Sequence, residues 1–166
     1  MHEDATRRPW LGLAGWAAVT FVAAALGSMA SVRSREFYGL LELPQWAPPG
    51  AVFGPVWTVL YVLMAVAAWL VWRRAGWKGA STALSLFIVQ LALNALWSWL
   101  FFAWRQGAGA FAEVLLLWMA IAATIAAFWR VRPLAGALML PYLAWVTFAS
   151  ALTHAAWRMN PHLLGG

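Results

Sequence analysis

The chain has 166 residues, of which 64% are hydrophobic and 10% charged, with a mean hydropathy of +0.74. That composition excludes a water-soluble fold, which would need a polar skin that these residues cannot supply. There are no cysteines, so disulfides, thiolate metal sites and cysteine nucleophiles are excluded, and the net charge of +6 is carried by basic residues punctuating apolar runs rather than by a nucleic-acid-binding face.

Five apolar runs follow in chain order, 10–30, 51–72, 81–104, 108–129 and 134–157, each near the roughly 20 residues a helix needs to cross a bilayer. The expected fold is therefore an all-α membrane protein, a bundle of five transmembrane helices. Four links are tight. The 31–50 link carries Pro44, Pro48 and Pro49 and an apolar set at Phe37, Leu40 and Leu41 with helical spacing, and it reads as a short interfacial helix followed by a rigid proline turn. No linker, low-complexity tract or repeat divides the chain, so 1–166 is expected to form one domain.

Basic residues set the direction of insertion. Arg7, Arg8, Arg73, Arg74, Lys78, Arg130 and Arg132 flank one side, and Arg33, Arg35, Arg105 and Arg158 the other. The bias favours a cytoplasmic N-terminus, with the 31–50 loop and the C-terminus outside, in a multi-pass membrane protein. A competing reading takes Arg7, Arg8 and the run ending Ser28-Met29-Ala30 as a signal peptide. The run is long for that, and cleavage would leave the last four spans unchanged.

Of fourteen tryptophans, Trp10, Trp72, Trp77, Trp104, Trp129 and Trp157 sit at span ends, where indole favours the interface. Trp57, Trp97 and Trp145 lie within spans, where the indole N–H needs a partner. Helical spacing groups the unusual residues into stripes: Gln90, Asn94, Trp97 and Phe101 on the third span, Trp57, Tyr61, Met64 and Ala68 on the second, and Tyr142, Trp145, Ala149 and Leu152 on the fifth. A carboxamide facing lipid costs several kcal/mol, so the amide stripe should face inward. Any one stripe reads equally well as interhelical packing with the amides as glue. Together, because the spans alternate direction, Trp57, Trp97, Phe101 and Ala149 fall in the leaflet nearest the long loop. They converge beneath Trp46-Ala47-Pro48-Pro49, as a pocket with aromatic walls and a Trp46 lid suited to a flat, largely apolar ligand.

Other chemistry is sparse. His2, His154 and His162 are not spaced as metal ligands, and no cofactor is expected. Glu113 is the sole acidic residue within a span; it reads either as a contact for a polar or cationic ligand group or as a structural partner of Arg105 or a helix terminus. No nucleophile–base pair or phosphate loop is visible. Pro141 should kink the fifth span, and the small residues Ala122 and Ala126 permit close helix contact, a hint of a dimer.

These motifs resemble the tryptophan-rich sensory protein/translocator protein (TspO/MBR) family, the peripheral benzodiazepine receptors of older usage. The likeness runs through Phe37-Tyr38, Pro44-x-Trp46-x-Pro48-Pro49, Val52-Phe53-Gly54-Pro55-Val56-Trp57, Leu60-Tyr61 and Gln90-Leu91-Ala92-Leu93-Asn94-x-x-Trp97. It continues in Phe101-Phe102, Arg105-Gln106, Pro141-Tyr142-Leu143-Ala144-Trp145 and Phe148-Ala149. The resemblance implies a five-helix bundle, usually a homodimer, that binds porphyrins, haem-related tetrapyrroles and synthetic isoquinolines beneath the first loop. It maps ligand positions onto Trp57, Asn94, Trp97, Trp145 and Ala149. The full candidate ligand set, joining these to the stripes and the lid, is Trp46, Trp57, Tyr61, Asn94, Trp97, Phe101, Trp145 and Ala149. Some bacterial members are similar in a light-dependent porphyrin degradation that would fall here on Trp57 and Trp145, so the expectations are a tetrapyrrole receptor or sensor, a porphyrin-degrading enzyme, or a small-molecule carrier.

Two positions depart from the family's animal members. Leu152-Thr153-His154-Ala155-Ala156-Trp157-Arg158 lacks the tyrosine of their cholesterol motif, which speaks against cholesterol as a partner. Gly109 stands where they carry a tryptophan, which would open that wall of the pocket.

Overall fold

The computed structural model describes residues 9–165; Arg7, Arg8 and His2 of the sequence reading lie outside them. Helix α1, Pro9–Ala30, opens on a proline, whose fixed φ suits a first helical position. Its buried residues Trp16, Thr20, Ala23 and Gly27 recur every three to four positions, so one stripe faces the protein and the remainder faces lipid. The 31–50 link forms the expected short helix, α2, over Ser34–Leu40. An irregular segment then leads to a single 3-10 turn at Gly50–Val52.

Helix α3, Phe53–Ser98, has 46 residues and would be about 69 Å long if straight, against a hydrocarbon core of about 30 Å. It is not straight. Gly76 has φ 64° and ψ −178°, a region only glycine occupies without strain, and Ala80 is also non-helical. There the chain reverses, so that Tyr61 on one arm and Asn94 on the other meet across 2.7 Å. The arms bury facing stripes, Leu60, Met64, Ala67 and Val71 against Leu84, Phe87, Leu91 and Asn94.

Beyond Ser98 the helix widens over Trp99–Ala103 into π geometry, with Trp104 N–H bonding the Trp99 carbonyl at 2.8 Å. Arg105 follows at φ 53° and turns the chain into α4, Gly107–Val131. The fifth apolar run is divided. Helix α5, Pro133–Leu138, is separated by Met139 from α6, Leu140–Met159. The break thus falls two residues before Pro141, which sits comfortably in the first turn of α6. A short α7, Pro161–Leu164, closes the described chain.

No strand occurs among the described residues. Among the described residues four helical stretches, Pro9–Ala30, Gly50–Ala103, Gly107–Val131 and Pro133–Met159, are long and apolar enough to cross a membrane, and the protein is an integral, multi-pass membrane protein.

Hydrophobic collapse offers little between helices in lipid, so close packing must hold them. Small residues provide it. A side chain on Gly12 would run into Trp72, and one on Gly107 into Trp157. These two tryptophans, expected at the interface, therefore also serve as packing pieces. Trp10, Trp77, Trp104 and Trp129 remain exposed at span ends. The larger core, including Met64, Phe87, Ile121, Phe128 and Tyr142, fills the body of the bundle. A smaller one, Phe37, Leu41, Phe101, Ala110, Ala156 and Leu164, lies at the end that carries the 31–50 link.

Candidate functional site

Between these two cores lies a cavity of about 300 Å³. The three sequence stripes divide at its floor. Below it, Met64, Ala68, Gln90 and Tyr142 are fully buried in the core. Above it, Trp57, Tyr61, Asn94, Trp97, Phe101, Trp145, Ala149 and Leu152 line the space. The floor is a hydrogen-bonded triad in which the Tyr61 hydroxyl donates to Asn94 Oδ1 at 2.7 Å and Asn94 Nδ2 donates to the Tyr142 hydroxyl at 2.9 Å. One amide thus ties both arms of α3 to α6.

The walls are aromatic. Trp97 stacks on Phe101 at 5.3 Å between ring centroids and 11° between planes. Trp57 lies 5.5 Å from Tyr61 and 6.0 Å from Tyr142, and Phe53 meets Trp145 edge-on at 5.8 Å. The indole N–H groups of Trp97 and Trp145 are buried and have no hydrogen-bond partner. Both tryptophans belong to the cavity lining, so their rings rather than their N–H groups are the surface offered to it.

Of the eight residues proposed from sequence, seven therefore face one cavity, while Trp46 does not line it. Trp46 is 52% exposed and rests edge-on against Phe148 at 5.8 Å, on the flank of the cover. The cover itself is α2 and the 3-10 turn, contributing Ser34, Arg35, Tyr38 and Gly50. Burial pushes the Tyr38 phenol above its usual range, and its hydroxyl donates to the Pro48 carbonyl at 2.9 Å, closing the loop between them.

Helix α1 also contributes to the wall, through Ala24, Gly27, Ser28 and Ser31. The signal for it was present: Trp16, Thr20, Gly27 and Ser31 share one helical face, and a stripe of small residues is what a cavity wall and a close helix contact both require.

Glu113 is not paired with Arg105. Both carboxylate oxygens are buried without a partner, whereas the Arg105 guanidinium sits 4.8 Å above the Phe37 ring, a cation–π contact that serves its charge at the membrane edge. His154 lies against Phe111 at 4.9 Å. Among the described residues no three His, Cys, Asp or Glu side chains gather as metal ligands.

Comparison with known proteins places these features in a lineage. The family model described as "TspO/MBR family" matches residues 9–158. The human translocator protein is 38% identical over 161 residues, 95% of each chain. The tryptophan-rich sensory protein of Cereibacter sphaeroides is 40% identical over 149 residues, covering 87% of this chain and 92% of its own. A tryptophan-rich protein TspO from Archaeoglobus fulgidus is 36% identical over 135 residues, 81% of this chain and 87% of its own. With likeness of this extent reaching across all the spans that build the cavity, the chain belongs to the TspO/MBR family.

Proposed function

We propose that the protein is a membrane receptor or sensor for a flat aromatic ligand of the tetrapyrrole class, bound in the cavity of Trp57, Trp97, Trp145 and Ala149. The observation that carries this reading is the aromatic enclosure of the cavity, with Trp97 stacked on Phe101 and Phe53 edge-on to Trp145. A planar macrocycle gains area against these stacked rings. The printed name of the Cereibacter relative, a sensory protein, agrees with a receptor role.

The two arms of α3 count as separate spans, which with α1, α4 and the α5–α6 pair makes a five-span, single-domain bundle. It sits in a bacterial cell membrane with a cytoplasmic N-terminus and works as a homodimer. Tryptophan quenching by protoporphyrin IX tests the binding site. Trp97→Phe and Trp145→Phe cut the indole back to a single smaller ring, and each should weaken binding by about 2- to 12-fold, the range of one aromatic pair contact. Unchanged affinity in both would remove the indoles from the site. A C-terminal reporter giving a cytoplasmic signal would overturn the orientation.

A second reading is light-dependent porphyrin degradation through Trp57 and Trp145. It is favoured by the chain of oxidisable rings that leads from Trp57 to Tyr61 and Tyr142. Bleaching of bound porphyrin under illumination, abolished in Trp57→Phe, would support it; bleaching no faster than free dye would sink it.

A further inference from the structure

The segment that joins the two parts of the cavity cover, residues 41–49, lies outside the lining itself and is held by few hydrogen bonds. From Leu41 to Pro49 its only internal backbone hydrogen bond runs from Ala47 N–H to the Pro44 carbonyl at 2.9 Å. The Tyr38–Pro48 bond ties the loop only to its own neighbour, α2. Among the described hydrogen bonds, one residue alone joins this loop to the helices of the bundle, and it lies at the far end of the chain. Glu42 N–H donates to Asn160 Oδ1 at 2.8 Å, and Asn160 Nδ2 donates back to the Glu42 carbonyl at 2.8 Å. The same Nδ2 also donates to the Ala156 carbonyl, at 2.8 Å, which fixes the amide to the last turn of α6. Asn160 is fully buried. Its side chain satisfies both backbone groups of one loop residue, as a neighbouring strand would.

Asn160 also starts α7. Leu163 and Leu164 donate their N–H groups to the Asn160 carbonyl at 3.1 and 3.0 Å. The hook so formed returns the fully buried Leu164 into the small core with Phe37 and Leu41 of the cover.

We infer that the Asn160–Leu164 hook is the latch of the cavity cover, with Asn160 as the positioning residue that holds the loop shut and thereby sets the rate at which ligand enters and leaves. The inference rests on the cavity being the ligand site, but the latch itself can be read without ligand. An opening gate speeds entry and exit together, so a latch acts on both rates more than on their ratio. The hydrogen-bonded ties use no cavity-lining side chain other than Tyr38, whereas Leu164 packs in the small core with Phe101 and Ala156, so the site should survive release of the Asn160 bonds.

The first measurement is hydrogen exchange in ligand-free protein reconstituted in lipid nanodiscs. In Asn160→Leu, amides of residues 41–47 should exchange about 5- to 150-fold faster, the range that two lost neutral hydrogen bonds correspond to. Amides of the buried stretches of α3 and α6 should be unchanged. The second is stopped-flow binding and release of protoporphyrin IX, in which association and dissociation rates should both rise while their ratio moves by less than about 3-fold. If Asn160→Leu does not fold, Leu164→Ala, which withdraws only the hook's apolar anchor, should speed exchange in the same residues.

Unchanged exchange at 41–47 overturns the latch. So does a rise spread evenly over loop and helices, because Asn160 would then be a general stability residue. Selective loop exchange in a protein that binds no porphyrin supports the latch and overturns the ligand reading instead. Selective loop exchange with a slower dissociation rate overturns the gating role.

Discussion

Replacing Asn94 by leucine separates two uses of an intramembrane amide. Its oxygen accepts from Tyr61 and its nitrogen donates to Tyr142, so the structure engages the group in joining helices. In bilayers such bonds average about 0.6 kcal/mol and reach about 2, which puts the pair at about 1–3 kcal/mol. Tyr142 is fully buried, and its orphaned hydroxyl adds a penalty of about 1–3 kcal/mol, partly offset by the apolar contacts leucine makes. The expected loss is about 2–4 kcal/mol of stability, measured by reversible unfolding in mixed detergent micelles. Protoporphyrin affinity per folded molecule should change little, and Tyr142→Phe should reproduce about 1 kcal/mol of the destabilisation. A stable Asn94→Leu protein that no longer binds porphyrin would refute the reasoning and return the amide to the ligand.

Other substitutions test the frame around the site. Gly76→Ala places a side chain at φ 64° and ψ −178° and should destabilise the reversal between the α3 arms by about 1–3 kcal/mol, read in the same unfolding assay. Gly107→Ala drives a methyl group into the Trp157 indole, an overpacking that should cost about 1–3 kcal/mol and lower the melting temperature. Glu113→Gln removes a buried carboxyl whose oxygens have no partner; it should leave the melting temperature unchanged or raise it, because no pairing is lost. A marked fall would reveal a partner for Glu113 in the bilayer.

The membrane-crossing character was legible in the sequence because hydrocarbon admits few alternatives: apolar runs of the right length had to be helices. The finer breaks were not. Gly76 reads as an ordinary glycine until its φ is known, and Pro141 marks a kink in the fifth run without fixing that the break falls at Met139, two residues before it. The π turn at Trp99–Ala103 has no signature in residue type.

At the site, spacing identified seven cavity-facing residues, since one face of a helix is a matter of periodicity. It could not separate an amide serving a ligand from one joining helices, as with Asn94, because both require it to point inward. The prolines around Trp46 predict a lid, but where an indole on an irregular loop comes to rest depends on contacts such as Phe148. The Asn160–Glu42 tie links positions 118 residues apart and leaves no local trace at either end.

The account turns on whether the space beside Ala149 is where a tetrapyrrole binds. Titration of protoporphyrin IX into the wild-type protein and Ala149→Leu, followed by tryptophan quenching, addresses it most directly. The wild type should quench saturably at one porphyrin per chain, whereas the leucine, which occupies cavity volume without straining a packed core, should weaken binding at least about ten-fold with stability held. Equal affinity in the two proteins, or loss of stability with affinity unchanged, would contradict the assignment of the cavity as the binding site.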